Sequence, residues 1–206
     1  MPTPPSVPAL IPLSLLEAIR NLDTPVEDGL DELAEEIAVR RLGLSPTVAA
    51  QIQRYRNTAD KNGAVELDEV VSVLRLVGRR PDAELVFADA GRRAARRAAR
   101  RVFPLRRLLA HIGPRAFGQG AARSAARAVF GVDLTREAGV PVAVLPDAIT
   151  IRATPDGAAC GLWAAALAEL LRLLTGFEGA MRHTACRALG AAACEWRAAP
   201  PDPRHH

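Results

Sequence analysis

The sequence has one lysine, Lys61, and aromatic residues make up only 4% of it. Nearly all of the positive charge behind the net charge of +4 is therefore arginine, and alanine is also abundant. We attribute the abundance of both arginine and alanine to a GC-rich genome as much as to a selected basic surface. Basic proteins nevertheless often bind nucleic acid or anionic membranes. Three cysteines cannot all pair in disulfides, so in a reducing compartment they are free thiols, catalytic groups or metal ligands.

The signatures of several common functions are missing. The first residues carry no positive charge ahead of their apolar part and do not resemble a secretory signal. Apolar runs are broken before the roughly 20 residues that cross a bilayer, so we expect no membrane span and a cytoplasmic protein. We find no Gly-rich phosphate loop, no nucleotide fingerprint and no triad pattern, and we assign no catalytic residue.

Apolar periodicity predicts an α+β protein in two parts. Five prolines in residues 1–12 predict a disordered arm. A helical N-terminal unit then spans 13–103, and a mixed α/β ligand-binding domain with a small antiparallel sheet spans 104–198. Residues 199–206 are expected to form a loose tail.

The predicted helices and strands are based on N-cap residues, turn residues and apolar stripes. Helices are expected at 13–22, from 26 onward, from the Ser45-Pro46 cap, at 67–77, from Pro81 into the arginines, at about 105–130 and at 159–174. Strands are expected at 141–145, 149–153, 180–187 and 194–198.

All three cysteines fall in the last 50 residues and His183 falls among them, with the spacing Cys160-x22-His183-x2-Cys186-x7-Cys194. Three thiolates and one imidazole are a complete tetrahedral set for zinc. Cys160 is placed at a helix start, where the dipole favours a thiolate, and a hairpin can bring the other three together. Three buried free cysteines beside a structural histidine are the alternative, since no CxxC pair is present.

The same segment resembles a known family. Pro155-Asp-Gly-Ala-Ala-Cys160, an apolar helix, and His183-Thr-Ala-Cys186-Arg-Ala-Leu-Gly190-Ala-Ala-Ala-Cys194-Glu-Trp196 are similar to the 4-vinyl-reductase-like domain. That domain occurs in a bacteriochlorophyll biosynthesis protein and in the sensor halves of regulators that respond to aromatic compounds. The resemblance covers about residues 104–198, and its motif lies in 155–197.

The resemblance implies a mixed α/β ligand-binding fold related to vesicle-tethering subunits, a homodimer, and zinc held by three cysteines and a glutamate. His183 stands where the family commonly has that glutamate. Because histidine is an equally good zinc ligand, the expected metal ligands here are Cys160, His183, Cys186 and Cys194.

Two weaker motifs lie in the N-terminal unit. Residues 58–69 resemble an EF-hand loop, but Thr58 replaces the first carboxylate, so we expect an Asn-Gly turn between helices and no tight calcium binding. Residues 38–48 resemble a helix-turn-helix with displaced Ala–Gly spacing, which disfavours DNA reading by this segment.

A basic stretch between Gly91 and Arg107 contains no acidic residue. Its arginines alternate with alanine pairs, so a helix would carry arginines on one half and alanines on the other. We expect a linker helix that packs its alanine face on a neighbour, with a phosphate-rich partner as the alternative. The candidate nucleic-acid contacts are Arg92, Arg93, Arg96, Arg97, Arg100 and Arg101.

The combined sequence evidence favours a non-catalytic protein that binds or senses a small apolar or aromatic ligand, or a partner protein, and carries structural Zn²⁺. Trp163, Leu167 and Leu171 would line the pocket, although such a stripe is also typical of plain core. A tetrapyrrole-pathway reductase or accessory factor, and a DNA-binding transcription regulator, are the alternatives.

Overall fold

The computed structural model describes residues 5–24, 45–109 and 114–199. It confirms the α+β class: helices pack around two antiparallel sheets. The helices are α1 (Leu10–Asp23), α2 (Pro46–Asp60), α3 (Leu67–Gly78), α4 (Ala83–Leu109), α5 (Pro114–Ala125), α6 (Ile149–Ala153) and α7 (Gly161–Thr175). The strands are β1 (Ser6–Pro8), β2 (Ala64–Glu66), β3 (Asp133–Glu137), β4 (Val140–Leu145), β5 (Ala180–Ala185) and β6 (Cys194–Ala199). A π-helix continues α5 over Ala126–Phe130, and 3₁₀ turns cover Ala158–Cys160 and Arg187–Leu189.

The prediction of a disordered arm is wrong for residues 5–12. Strand β1 pairs with β2, and α1 begins at Leu10, with Leu10 and Ile11 almost fully buried. Proline is tolerated in the first turn of a helix, where Pro12 lies, because its missing N–H would have no partner there. The apolar residues between the prolines thus gain enough burial to order the segment.

The N-terminal helices begin and end close to their predicted positions. Ser45 caps α2, because the Val48 N–H donates to its Oγ at 3.2 Å. Asn62 has a φ of 54° in the turn after α2, as the Asn-Gly pair predicts. The helix predicted from residue 26 lies outside the described residues.

The larger sheet has the strand order β3-β4-β6-β5, with every pair antiparallel. Strand β3 was not predicted, because its residues are polar apart from the buried Leu134. The strand predicted at 149–153 is wrong, since this segment forms the short helix α6. Its β-branched residues favour a strand locally, but tertiary packing buries Thr150 completely and places α6 against α3.

Helices α4 and α7 join the two halves of the chain. Gly91 lets them meet at backbone distance, since a Cβ built there would lie 2.3 Å from the Leu162 carbonyl oxygen. The alanine face of α4 is buried, as predicted for a packed linker helix (Ala94, Ala95, Ala98 and Ala99). The boundary predicted between residues 103 and 104 falls inside α4, and buried side chains from both sides of it form one hydrophobic cluster.

Helix α7 carries one acidic residue into this interface. Glu169 is 6% exposed and pairs with Arg172 at 2.8 Å and with Arg96 at 2.7 Å. Arg172, helped by Arg96 and opposed by burial, lowers the pKa of Glu169 to about 2. The carboxylate therefore stays charged at neutral pH and ties α7 to α4.

The segment from Ala158 to Thr175 is also long and apolar enough to cross a membrane by length and composition. It was not predicted as a span, because small residues interrupt its apolar run. Of this window, 56% is buried inside the protein, and its leucines belong to the hydrophobic cluster described above. The core helix of a folded domain meets the same criterion of length and composition.

Candidate metal centre

The four predicted ligands lie together at one end of the larger sheet. Cys160 closes a 3₁₀ turn and is the N-cap residue of α7, His183 lies in β5, Cys186 directly follows that strand, and Cys194 opens β6. Their ligand atoms, three sulfurs and one imidazole nitrogen, are all within 4.8 Å of one another. This group could hold a metal ion.

The loop between Cys186 and Cys194 is shaped by its own backbone. The N–H groups of Leu189 and Ala191 donate to the Cys186 carbonyl oxygen at 3.0 and 3.1 Å, and Gly190 has a φ of 93°. The Arg187 N–H points to the Cys194 sulfur at 3.5 Å. A backbone N–H directed at a sulfur favours the thiolate, which is the form that binds metal.

His183 is placed by an irregularity in β5. The register shifts between His183 and Ala185, and His183 lies opposite Trp196, with the ring centroids 4.9 Å apart and the planes at 14°. The residue as a whole is exposed, but Trp196 covers one face of its ring. Partial burial lowers the pKa of His183, so the imidazole is neutral, as metal ligation requires.

Cys160 is one of two candidate ligands that have no exposed surface, and Cys194 is the other. Burial raises the pKa of Cys160 to about 12 against the opposing effect of the Thr150 hydroxyl. Burial also raises the pKa of Cys194. The raised pKa values keep the Cys160 and Cys194 thiols protonated, and a soft divalent cation would favour their thiolate forms. The donor set therefore fits a metal.

A polar relay, in which Thr150 contacts both residues, connects Cys160 to Trp163. The Thr150 Oγ1 lies 3.4 Å from the Cys160 sulfur, and the Trp163 Nε1–H donates to the same oxygen at 3.3 Å. Because that oxygen accepts from Trp163, its own proton is free to point to the sulfur. Sequence reasoning missed Thr150, since nothing in the strand-like segment Ile149–Ala153 marks it.

Gly157 lies against the site from the side of α7. A Cβ built there would lie 2.9 Å from the Cys186 sulfur, and its φ is +80°. The sequence predicts the Pro155-Asp156-Gly157 turn but not this approach. Only a residue without a side chain allows the turn and the sulfur to meet.

We expect Gly157→Ala to lower metal affinity by at least about tenfold, because the new methyl group must displace a ligand sulfur. Gly139→Ala is the matched control: its φ is +84°, but nothing lies within 4 Å of its added Cβ. Both variants should lose about 1 kcal/mol of unfolding free energy to backbone strain. Competition with a chromophoric chelator measures the affinity, and an equal effect of the two variants would contradict a contact at Cys186.

Four of the six arginines on the basic face of α4 form ion pairs or hydrogen bonds within the chain. Arg93 pairs with Asp89, Arg96 with Glu169 and Arg97 with Glu17, while Arg101 donates to the Ala59 carbonyl oxygen. Arg92 and Arg100 are exposed. These contacts hold α4 against α1, α2 and α7, which matches the predicted linker helix.

The three residues predicted to line a pocket have different environments. Trp163 lines a cleft of about 410 Å³. Leu171 borders a separate cavity of about 20 Å³, and Leu167 is fully buried in the hydrophobic cluster. Leu167 and Leu171 thus belong to the hydrophobic core, which was the alternative interpretation of this apolar stripe.

The last residue of the EF-hand-like segment is already bound by other side chains of the protein. Glu69, which would be the last calcium ligand, accepts from the Tyr55 hydroxyl at 2.5 Å and pairs with Arg54. Of the residues that resemble a helix-turn-helix, 38–44 lie outside the described part of the chain.

Comparisons with family models, with curated proteins and with solved structures find no significant match for this chain.

Proposed function

We propose that the chain is a non-catalytic ligand-binding protein of the 4-vinyl-reductase-like type, with a structural zinc ion held by Cys160, His183, Cys186 and Cys194. The observation that carries the metal proposal is the mutual distance of the four ligand atoms, 4.8 Å or less. Ligands that surround one tetrahedral ion are separated by distances of this order, because zinc–sulfur bonds are about 2.3 Å and zinc–nitrogen bonds about 2.0–2.1 Å.

Zinc is the metal that this donor set favours. Thiolate and imidazole ligands in a tetrahedral arrangement suit zinc, whereas carboxylate and water suit magnesium and calcium. Four protein ligands leave no open position for substrate, which favours a structural role over a catalytic one. The ion would join the start of α7 to the β5–β6 hairpin.

Ligand binding is the part of the proposal that rests on the resemblance to sensor domains and on the cleft beside Trp163. Several arginines of the basic helix already have partners within the chain, which disfavours the DNA-binding alternative. Buried free thiols suit the cytoplasmic location expected from the sequence.

The test is the metal content and coordination of the purified protein. We expect about one zinc per chain by mass spectrometry, and an X-ray absorption spectrum with three sulfur ligands at about 2.3 Å and one nitrogen at about 2.0–2.1 Å. His183→Glu should retain the metal with an oxygen in place of the nitrogen, whereas His183→Leu should weaken binding. A metal-free protein, or a spectrum unchanged by His183→Leu, would contradict the four-ligand site.

A further inference from the structure

Two of the three cysteines lie opposite each other on the β5–β6 hairpin. Ala185 pairs with Glu195, and the backbone of Cys186 is still extended, with a φ of −128° and a ψ of 128°. The same register therefore places Cys186 opposite Cys194. Residues in such positions have Cα atoms about 4.5–5.5 Å apart, which lies within the range of about 4.4–6.8 Å that a disulfide requires.

Cys160 reaches the same centre from another element and is held differently. It ends the 3₁₀ turn before α7, and its sulfur contacts the Thr150 hydroxyl at 3.4 Å. Thr150 is fully buried, so this contact is shielded from water. Of the three possible cysteine pairs, Cys186 and Cys194 are thus the pair that one hairpin already aligns.

The three cysteines also differ in their access to solvent. Cys160 and Cys194 have no exposed surface, whereas Cys186 is 8% exposed. A solute therefore meets Cys186 first, and so small an exposed area admits a small reagent more readily than a large one. This arrangement favours a small oxidant, since oxidation of a thiol depends on access as well as on thiolate character.

The loop between the two cysteines consists mainly of alanine, and its largest side chains lie on the surface. Leu189 is 80% exposed, and the Arg187 guanidinium donates to the exposed Asp147 carboxylate at 3.4 Å. The two sulfurs lie 4.8 Å apart or less. Their approach to a bond length of about 2.05 Å therefore moves little of the hydrophobic core.

We propose that Cys186 and Cys194 form a site of reversible oxidation by hydroperoxides, and that the disulfide between them releases the metal. Formation of the disulfide rests on the hairpin alone, whereas release rests on the metal centre proposed above. The disulfide removes two of the four ligands, and the remaining two, Cys160 and His183, lie on different elements. The connection between the start of α7 and the hairpin is then lost.

With hydrogen peroxide the reaction takes two steps. The Cys186 thiolate attacks one peroxide oxygen, the O–O bond breaks, and the hydroxide that leaves takes up a proton to become water. The Cys194 sulfur then attacks the sulfenic acid of Cys186, so that the S–S bond forms, the S–O bond breaks, and a second water leaves with the proton of Cys194. Two thiols thus lose two electrons and two protons, and one peroxide is reduced to two waters. Where a metal holds both sulfurs as thiolates, solvent supplies the two protons.

The first experiment maps the disulfide in the full chain after a chelator has removed any metal. Trypsin cleaves after Arg182, Arg187 and Arg197, which places Cys186 and Cys194 on two separate peptides. After treatment with hydrogen peroxide and alkylation of the remaining thiols, mass spectrometry should find these two peptides joined and Cys160 alkylated. A main product that joins Cys160 to either of the other cysteines, or three alkylated cysteines, overturns the oxidation site.

Substitutions separate the roles of the three cysteines. Cys160→Ser should keep the cross-link, and its loss in a folded Cys160→Ser protein contradicts the assignment of the pair. Cys194→Ser should stop at the sulfenic acid of Cys186, which dimedone labels. Should Cys194→Ser not fold, the peptide map of the wild type still identifies the pair.

The second experiment follows the metal in the zinc-loaded full chain with a chromophoric chelator. Peroxide should release about one zinc for each disulfide formed, and reduction by a dithiol should restore binding. The zinc affinity of the oxidised chain should be lower by more than about a hundredfold, because loss of one outer-shell partner already costs about 10–100-fold. A disulfide that forms while zinc stays bound overturns the release.

Failure of the oxidation site and failure of the metal centre give different results. A chain that carries zinc but forms no disulfide between Cys186 and Cys194 overturns the oxidation site, while the metal centre stands. A chain purified without zinc that forms this disulfide supports the oxidation site and contradicts the metal centre together with the release.

Discussion

Cys194→Ser is expected to release the metal and to lower the unfolding free energy by about 4 kcal/mol when zinc is present at about a thousand times its dissociation constant. The physical reason is linkage: an ion that binds only the folded chain stabilises it, and its ligands come from a helix start and a hairpin with no disulfide among the described residues. Urea unfolding followed by circular dichroism measures the change.

A control and a second condition distinguish metal loss from simple core damage. Ala192→Ser adds a hydroxyl in the same loop at an exposed position and should be neutral. In excess chelator the wild type and Cys194→Ser should differ by less than about 1 kcal/mol, because only burial of one sulfur then separates them. An equal loss of stability with and without zinc would favour the reading of Cys194 as an ordinary core cysteine.

Gly91→Ala is expected to destabilise the fold by about 3 kcal/mol, the upper end for overpacking. The added Cβ would lie 2.3 Å from the Leu162 carbonyl oxygen and 2.9 Å from the Ala166 nitrogen. Both are backbone atoms, which cannot rotate away as a side chain can, so α4 and α7 must separate. Because α7 begins at Gly161, next to Cys160, we also expect weaker zinc binding.

The matched control is Gly120→Ala, in helix α5. Nothing lies within 4 Å of the Cβ added there, so only helix propensity changes, and stability should rise by up to about 1 kcal/mol. Thermal unfolding of the two variants gives the comparison. Similar stabilities for both variants would mean that α4 and α7 do not meet at Gly91.

The sequence by itself determined the helices that carry local signals. Ser45 caps α2 as predicted, the Asn62-Gly63 turn follows it, and the apolar stripe of α3 begins and ends within one residue of its prediction. These features depend on neighbours three or four residues apart, so local chemistry is enough to predict them. The sequence also predicted which four residues lie together at the candidate metal centre, because few residue types bind metals and the spacing of these four resembles that of a known family.

Only the tertiary structure decided what depends on distant residues. Strand β3 is polar and α6 has strand-forming residues, so both owe their conformation to the partners they pack against. Arg96 and Glu169 are 73 residues apart, and no local pattern marks them as an ion pair. The same holds for the contact of Gly157 with Cys186 and for the relay from Trp163 through Thr150 to Cys160. Local propensity is a weak preference of a few tenths of a kcal/mol per residue, and packing between distant segments exceeds it wherever side chains are fully buried.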